Sequence, residues 1–326
     1  MNDTSTLDDT LAWDPGSNAA EVIAKSELTL VLIPIIGGVA LSNCLKRIAH
    51  FGLDCIVVHR EQDDLSHGLE SRYPAIRFVH APSGSVPVRR KLGVQSAGTE
   101  LVVILEDTTL PDDSWPGAIL EAFLDNRVGG VSGPVTIGND LPHRCLALAC
   151  GEYGRFHPRR LSRLAIGEAD RRGICPVLRL PGNHLAYRRS LILELLTECS
   201  GLIETEINQR IIERGLRLVM HPAMSVTYAA ADAYYALVST RFQQGRLYAG
   251  NRVTGRGLGV RMMSIAMSVA LPVLLSVRAL AATRDLSGSP SRARVAGWIL
   301  LLESAWACGE GIGYLAGPGT SMDSWR

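Results

Sequence analysis

The chain has 326 residues, 47% of them hydrophobic, and a formal net charge of +1. That length supports one large core with an appended segment, because single cores divide beyond about 250 to 300 residues. The balanced charge supplies no global basic field, which argues against a nucleic-acid-binding protein and leaves any anionic ligand to local groups.

The opening stretch Met1 to Ala20 is rich in Asp, Thr and Ser and lacks the basic and apolar regions of a secretory signal, so residues 1–24 are expected to form a flexible tail. Leu28 to Ile36 is apolar but far shorter than the roughly 20 residues that cross a bilayer, and it reads as a buried strand. Leu41, Cys44, Leu45 and Ile48 then recur at helical spacing, with Gly52 as a stop before the strand Cys55 to Val58. Ile76 to His80 predicts another strand, Val88 to Ala97 a helix, and Leu101 to Leu105 a strand ending at Glu106-Asp107. This alternation predicts an α/β domain over 25–240 built on a mostly parallel, Rossmann-like central sheet flanked by helices.

Farther on, Val128 to Val135 predicts a strand, Arg188 to Leu196 a helix, Ile203 to Arg214 a helix closed by Gly215, and Leu216 to Met220 a strand. Leu141 to Cys175 reads as a loop with short helices. Residues 241–326 carry two apolar stretches, Met262 to Val277 and Val295 to Ala316, joined by an Arg-rich connector. The first is short for a roughly 30 Å hydrocarbon core, and the second contains Glu303 and Glu310. Arginines on both sides conflict with crossing, so a re-entrant or interfacial hairpin is expected, with a soluble helical hairpin as the alternative. Seven scattered cysteines without a CxxC pair fit a reducing, cytoplasmic compartment.

Ligands of open α/β sheets bind beyond the carboxyl ends of strands, where Glu106 and Asp107 are expected. A carboxylate pair there suits a divalent cation, Mg²⁺ or Mn²⁺, that neutralises a departing diphosphate; a solvated turn is the plainer reading. Glu204, with Glu206 in reserve, stands at a predicted helix start, where an acid serves either as a general base or as an ordinary N-terminal residue. Arg89, Arg90 and Lys91 suit phosphate or base contacts, or form a surface patch. The turn Pro181-Gly182-Asn183-His184 offers backbone amides and Asn183 to a sugar or phosphate. His184 has no Cys or His at ligand spacing, which argues against a metal role.

The succession LTLVLIP, IVVHREQDD, RRKLGVQSAGTELVVILEDTTLPDDSW, LPGNHLAYRRS and ETEINQRIIERGLRLVMHPAMSVTY resembles the family 2 glycosyltransferases of GT-A fold, over about residues 28 to 230. The resemblance implies a nucleotide-sugar donor, with Pro34, Arg90, Lys91, Asp107, Gly182, Asn183 and Arg188 on the donor side, Asp107 and Glu106 on the metal, and Glu204 as base. His59 and Arg60 replace the family's acids after the second strand, leaving Glu61 or Asp63 for that role; Thr108 replaces the last Asp of DxD, and Thr205 the usual catalytic Asp. Gln243 and Arg246 partly match the QxxRW acceptor motif of processive synthases, but Leu247 replaces its Trp, which favours single-sugar transfer. Gly309 to Gly317 resembles the membrane-associating tail of bacterial members. Together these imply an inverting transferase at the cytoplasmic face of the inner membrane, with a lipid-linked or envelope-glycan acceptor. A non-catalytic GT-A scaffold subunit is the rival reading, and a nucleotidyltransferase a third, for which Ile36-Gly37-Gly38-Val39 is too meagre a phosphate loop.

Overall fold

The structure is a computed structural model that describes residues 27–60, 68–81, 84–138, 140–230, 237–286 and 291–324. The expected tail, and Glu61 and Asp63, lie outside the described residues. The central sheet has eight strands in the order β3-β2-β1-β4-β9-β6-β10-β8. These are β1 Leu28–Ile33, β2 Asp54–Arg60, β3 Arg77–Ala81, β4 Leu101–Glu106, β6 Val128–Ser132, β8 Cys175–Val177, β9 His184–Arg188 and β10 Arg217–Met220. A second sheet packs β5 Thr109–Pro111, β11 Val226–Tyr228 and β7 Val135–Ile137 side by side.

β1 to β4 run parallel, and every residue of β1 and β4 is buried. Both faces are covered, which is why these strands read as continuous apolar runs rather than alternating ones. Helix α1, Gly38–Ala49, buries Leu41, Cys44, Leu45 and Ile48, the four positions that the helical period selected. Helix α2, Val86–Ser96, lies so close to the sheet that a Cβ on Gly93 would stand 2.2 Å from a methyl of Val31. Only glycine permits that approach, and it brings Arg89 and Arg90 over the strand ends.

Two expectations are corrected, at β9 and at the run after Val128. The turn at Pro181 leads into a strand, β9, which runs antiparallel between β4 and β6, so the helix α5, Arg189–Leu195, begins at Arg189 and not before. The segment after Leu141 holds short helices as expected: α4 His143–Glu152, largely buried, and two 3-10 turns at Gly154–Phe156 and Pro158–Arg163. The run Val128 to Val135 is divided between β6 and β7. The helices α3, Trp115–Ala122, and α6, Glu204–Glu213, complete the layers over the sheet.

Four helices follow: α7 Leu237–Arg252, α8 Leu258–Ser268, α9 Leu271–Ala282 and α10 Arg292–Ala316. Cβ atoms on Gly245 and Gly309 would stand 2.3 and 2.0 Å from carbonyl oxygens of the opposite helix, so α7 and α10 touch backbone to backbone. Val295, Ile299 and Leu302 of α10 join Leu146 and Leu148 of α4 in one apolar cluster, docking these helices on the α/β domain. At 25 residues, about 37 Å, α10 is long and apolar enough to cross a membrane, although it carries the two acids that argued against spanning. Its acids turn inward: Glu303 reaches Arg241 at 3.4 Å, and Glu310 accepts from Tyr314 Oη at 3.0 Å. Helices α8 and α9 are bent by 51° at the break between them.

Candidate active site

Four chain segments converge beyond the carboxyl ends of β1 and β4. Pro34 ends β1, and Glu106 ends β4. Because β9 is antiparallel with His184 opposite Leu105, the turn Pro181 to Asn183 falls at the same sheet edge, and Glu106 N–H donates to Asn183 O at 2.9 Å. Helix α2 brings Arg90 from below, and α6 begins at Glu204.

Arg90 joins these segments. Its Nη1 donates to Glu204 Oε2 at 2.8 Å, while Nη2 donates to Glu106 Oε1 at 2.6 Å and to Gly182 O at 2.9 Å. Its side chain is 1% exposed, and the planar fork of guanidinium suits it to span two carboxylates. Burial opposes its charge, but Glu204 and Glu106 outweigh burial and hold it protonated. A Cβ on Gly182 would stand 3.0 Å from the Glu204 carboxylate, so this glycine lets the acid lie against the turn. Burial pushes the Glu106 carboxyl up to about 7, against the opposing pull of Arg90.

Asp107 faces elsewhere. Its Oδ1 accepts from the amides of Ile35 at 2.7 Å and Ile36 at 3.2 Å, and its Oδ2 from Ile36 at 3.2 Å and Gly37 at 2.7 Å. Burial pushes this carboxyl up to about 6 in spite of those amides. Both oxygens are committed to the loop after β1, so Asp107 as it stands does not fit the cation role expected of it. Glu106 fits better: its Oε2 is met by Thr108 Oγ1 at 3.4 Å, long for a hydroxyl hydrogen bond, so that oxygen keeps capacity for a hard cation.

The other expected residues separate into two groups. Pro34 lies at the convergence, its carbonyl accepting from Arg89, and Asn183 is fully buried, its Oδ1 accepting from His184 Nδ1 at 3.0 Å. His184 Nε2 accepts from Gly133 N–H at 3.3 Å; burial pushes this imidazole down to about 3, so it is neutral and structural. Lys91 instead donates to Leu196 O and Cys199 O at 3.1 and 2.6 Å, tying down the turn after α5. Arg188 pairs with Leu101 at the opposite edge of the sheet and donates to Phe123 O and Val128 O, so the reversed direction of β9 removes it from the donor side. Glu206 accepts from Asn251 of α7 at 2.8 Å. Gln243 accepts from Ser321 at 2.7 Å, and Arg246 donates to Gly317 O at 3.2 Å, which places both against the chain's last turns.

Sequence reasoning missed Glu152 and Tyr153, at the end of α4. Glu152 accepts from Arg241 Nη1 at 2.7 Å, and the Tyr153 ring lies 5.5 Å from that of Tyr228. Burial, then Glu152 and Glu106, hold the Tyr153 hydroxyl protonated well above its usual range, making it a fixed donor near the strand end. The usable signal was Glu152 at the end of an otherwise apolar run, in a segment read as loop.

No family model and no curated protein matches the chain. Among solved structures it is similar to the mannosyltransferase PcManGT from Pyrobaculum calidifontis, in complex with GDP-Man and Mn²⁺, at 15% identity and a TM-score of 0.52. The likeness covers 94% of this chain and 90% of that one. The chain therefore has a mixed α/β fold similar to that of a glycosyltransferase, followed by its C-terminal helices.

Proposed function

We propose that this chain is an inverting glycosyltransferase that moves a sugar from a nucleoside-diphosphate donor to an acceptor hydroxyl. The observation that carries the reading is the bridge from Glu204 through Arg90 to Glu106, which sets a candidate base and a candidate cation ligand on one guanidinium at the strand ends. Arg90 orients Glu204 through Oε2, and its other oxygen lies against Gly182. Glu204 takes the acceptor's proton, the acceptor oxygen bonds to the anomeric carbon, and the bond to the diphosphate breaks with its electron pair leaving on phosphate oxygen. One displacement inverts the anomeric configuration. A divalent cation, held by Glu106 Oε2 and the donor, would neutralise the diphosphate when bound. PcManGT is described with GDP-Man and Mn²⁺, which supports a donor and a cation of these classes.

The acceptor reading rests on the C-terminal helices. Leu258, Met263, Met267, Val269, Val273 and Leu274 are each 63% exposed or more, an apolar surface that suits the interface of a bilayer. Beside it, a cavity of about 200 Å³ is lined by Arg155, Arg160, Arg163, Leu164 and Arg278, from the 3-10 turns and α9. Burial, then Arg278 and Arg179, push the Arg155 guanidinium down to about 10, as expected where cations crowd together. An anionic acceptor head seated there, with its lipid in the membrane, would lie two residues from Tyr153. This supports a lipid-linked acceptor at a membrane, which we propose is the cytoplasmic face of the inner membrane.

The test is product formation from a panel of nucleotide sugars with a membrane lipid extract as acceptor, run with the wild type and Glu204→Gln. Product from the wild type and not from the variant supports the reading. A chain that binds no nucleotide sugar, with or without Mn²⁺, is instead a scaffold subunit.

A further inference from the structure

The reaction centre leaves unused a second set of donor groups at the sheet edge. β2 and β3 are parallel neighbours, β3 is the edge strand, and their register sets His59 beside His80. The two rings approach to 4.2 Å between centroids, tilted by 63°. Glu70, in the helical segment 68–70, brings one oxygen to both: Oε1 lies 3.2 Å from His59 Nε2 and 3.4 Å from His80 Nε2. All three donor atoms lie within 4.8 Å of one another. The group is separate from Arg90: Gly93 shows that α2 covers the sheet face bearing Val31 and Val58, and His59, one residue on, points to the other face.

We propose that His59, Glu70 and His80 bind a Zn²⁺ ion, independently of the reaction. Zinc bonds of roughly 2.0 to 2.1 Å in a tetrahedron hold neighbouring donors about 3.3 Å apart. The two nitrogen-to-oxygen separations already match that edge. His59 Nδ1 lies 3.0 Å from Arg60 O; a carbonyl can only accept, so Nδ1 carries a proton and Nε2, the nitrogen facing Glu70, is the one that would ligate a metal. Two imidazoles with one carboxylate favour zinc over Mg²⁺, which prefers a shell of oxygens. The site is closed on one side, where His59 is fully buried, and open on the other, where Glu70 and His80 are 34% and 41% exposed; among the described residues these three are the donors that come together. Bound there, zinc pins the edge strand β3 and the helical segment at Glu70 to β2, whose end leads into the donor side of the candidate site.

The test uses untagged full-length protein carrying Cys308→Ser, because Cys308 is the exposed cysteine among those described and would bind zinc adventitiously. The protein is stripped with chelator, dialysed against micromolar Zn²⁺ and measured for metal content and melting temperature. About one zinc per chain is expected, with a raised melting temperature and no displacement by excess Mg²⁺. His80→Ala and Glu70→Gln remove partly exposed groups and should weaken binding at least about tenfold while circular dichroism stays unchanged. Zinc content no higher than in His80→Ala, or binding unaltered in both variants, overturns the proposal. Neither readout depends on transferase activity, so the two readings fail separately.

Discussion

Arg90 and Glu204 stand 114 residues apart in the chain and meet at 2.8 Å, with Arg90 also bound to Glu106 at 2.6 Å. One guanidinium thus serves two carboxylates, and it fixes the distance between the end of β4 and the start of α6.

If Glu204 is the base, Glu204→Gln keeps the shape and loses the proton acceptor. Turnover should fall by about 10² to 10⁴ while donor affinity changes little. Steady-state kinetics with donor titration by calorimetry separates the two. Glu206→Gln, whose amide oxygen can still accept from Asn251, should retain most activity.

Arg90→Met leaves Glu106 buried without its counter-charge. Removing one partner of a buried pair costs roughly 3 to 5 kcal/mol, so chemical denaturation should show a loss of that order. Arg90→Lys retains the charge without the fork, and should recover part of the stability but little of the turnover.

Stability and activity should answer pH in opposite senses. Burial raises Glu106 from 4.5 to about 7 and Asp107 from 3.8 to about 6. Each raised carboxyl favours the folded state fully below its unfolded value, and that contribution is lost as pH rises through 6 to 7. Cation binding needs Glu106 ionised, so Mn²⁺-assisted donor binding should strengthen as pH rises through about 7. Calorimetry across that range checks it; Glu106→Gln should abolish the Mn²⁺ dependence, and excess chelator should reproduce the loss in the wild type.

Membrane attachment is best probed by substitution, because deleting α10 would uncover Leu146 and Leu148 of the α/β domain. Met263→Glu with Leu274→Glu, both on exposed positions, should abolish flotation with anionic vesicles and leave the melting temperature within a few degrees. Arg155→Ala with Arg278→Ala should raise the KM for a phosphate-bearing lipid acceptor while leaving donor affinity unchanged.

The sequence made the parallel half of the sheet legible because its signals are local. Leu41, Cys44, Leu45 and Ile48 announce α1 by period alone, and the run Leu101 to Leu105 announces β4 by unbroken apolarity. The order of motifs led to Glu106, Gly182, Glu204 and Arg90, but not to the role of Arg90 as their shared partner, because Arg90 and Lys91 are equally plausible by charge. A helix turns about 100° per residue, and that turn sends Lys91 to the α5 side. Arg188 was misplaced for a different reason: five residues of β9 between a turn and a helix carry too short a pattern to reveal a strand, and the strand's direction decides which end of the sheet its arginine reaches. The grip of Asp107 on three amides has no signature in composition or spacing.

That grip shapes how a substrate can arrive. Consecutive amides converging after a first strand are a means by which α/β sheets seize phosphate. Here the seat is filled from within, by a carboxylate 2.7 Å from the flanking amides of Ile35 and Gly37. On the proposed reading an incoming diphosphate would then dock from the side of β9 and α6. The first loop is already tied by its own hydrogen bonds, because the chain carries its own resident anion.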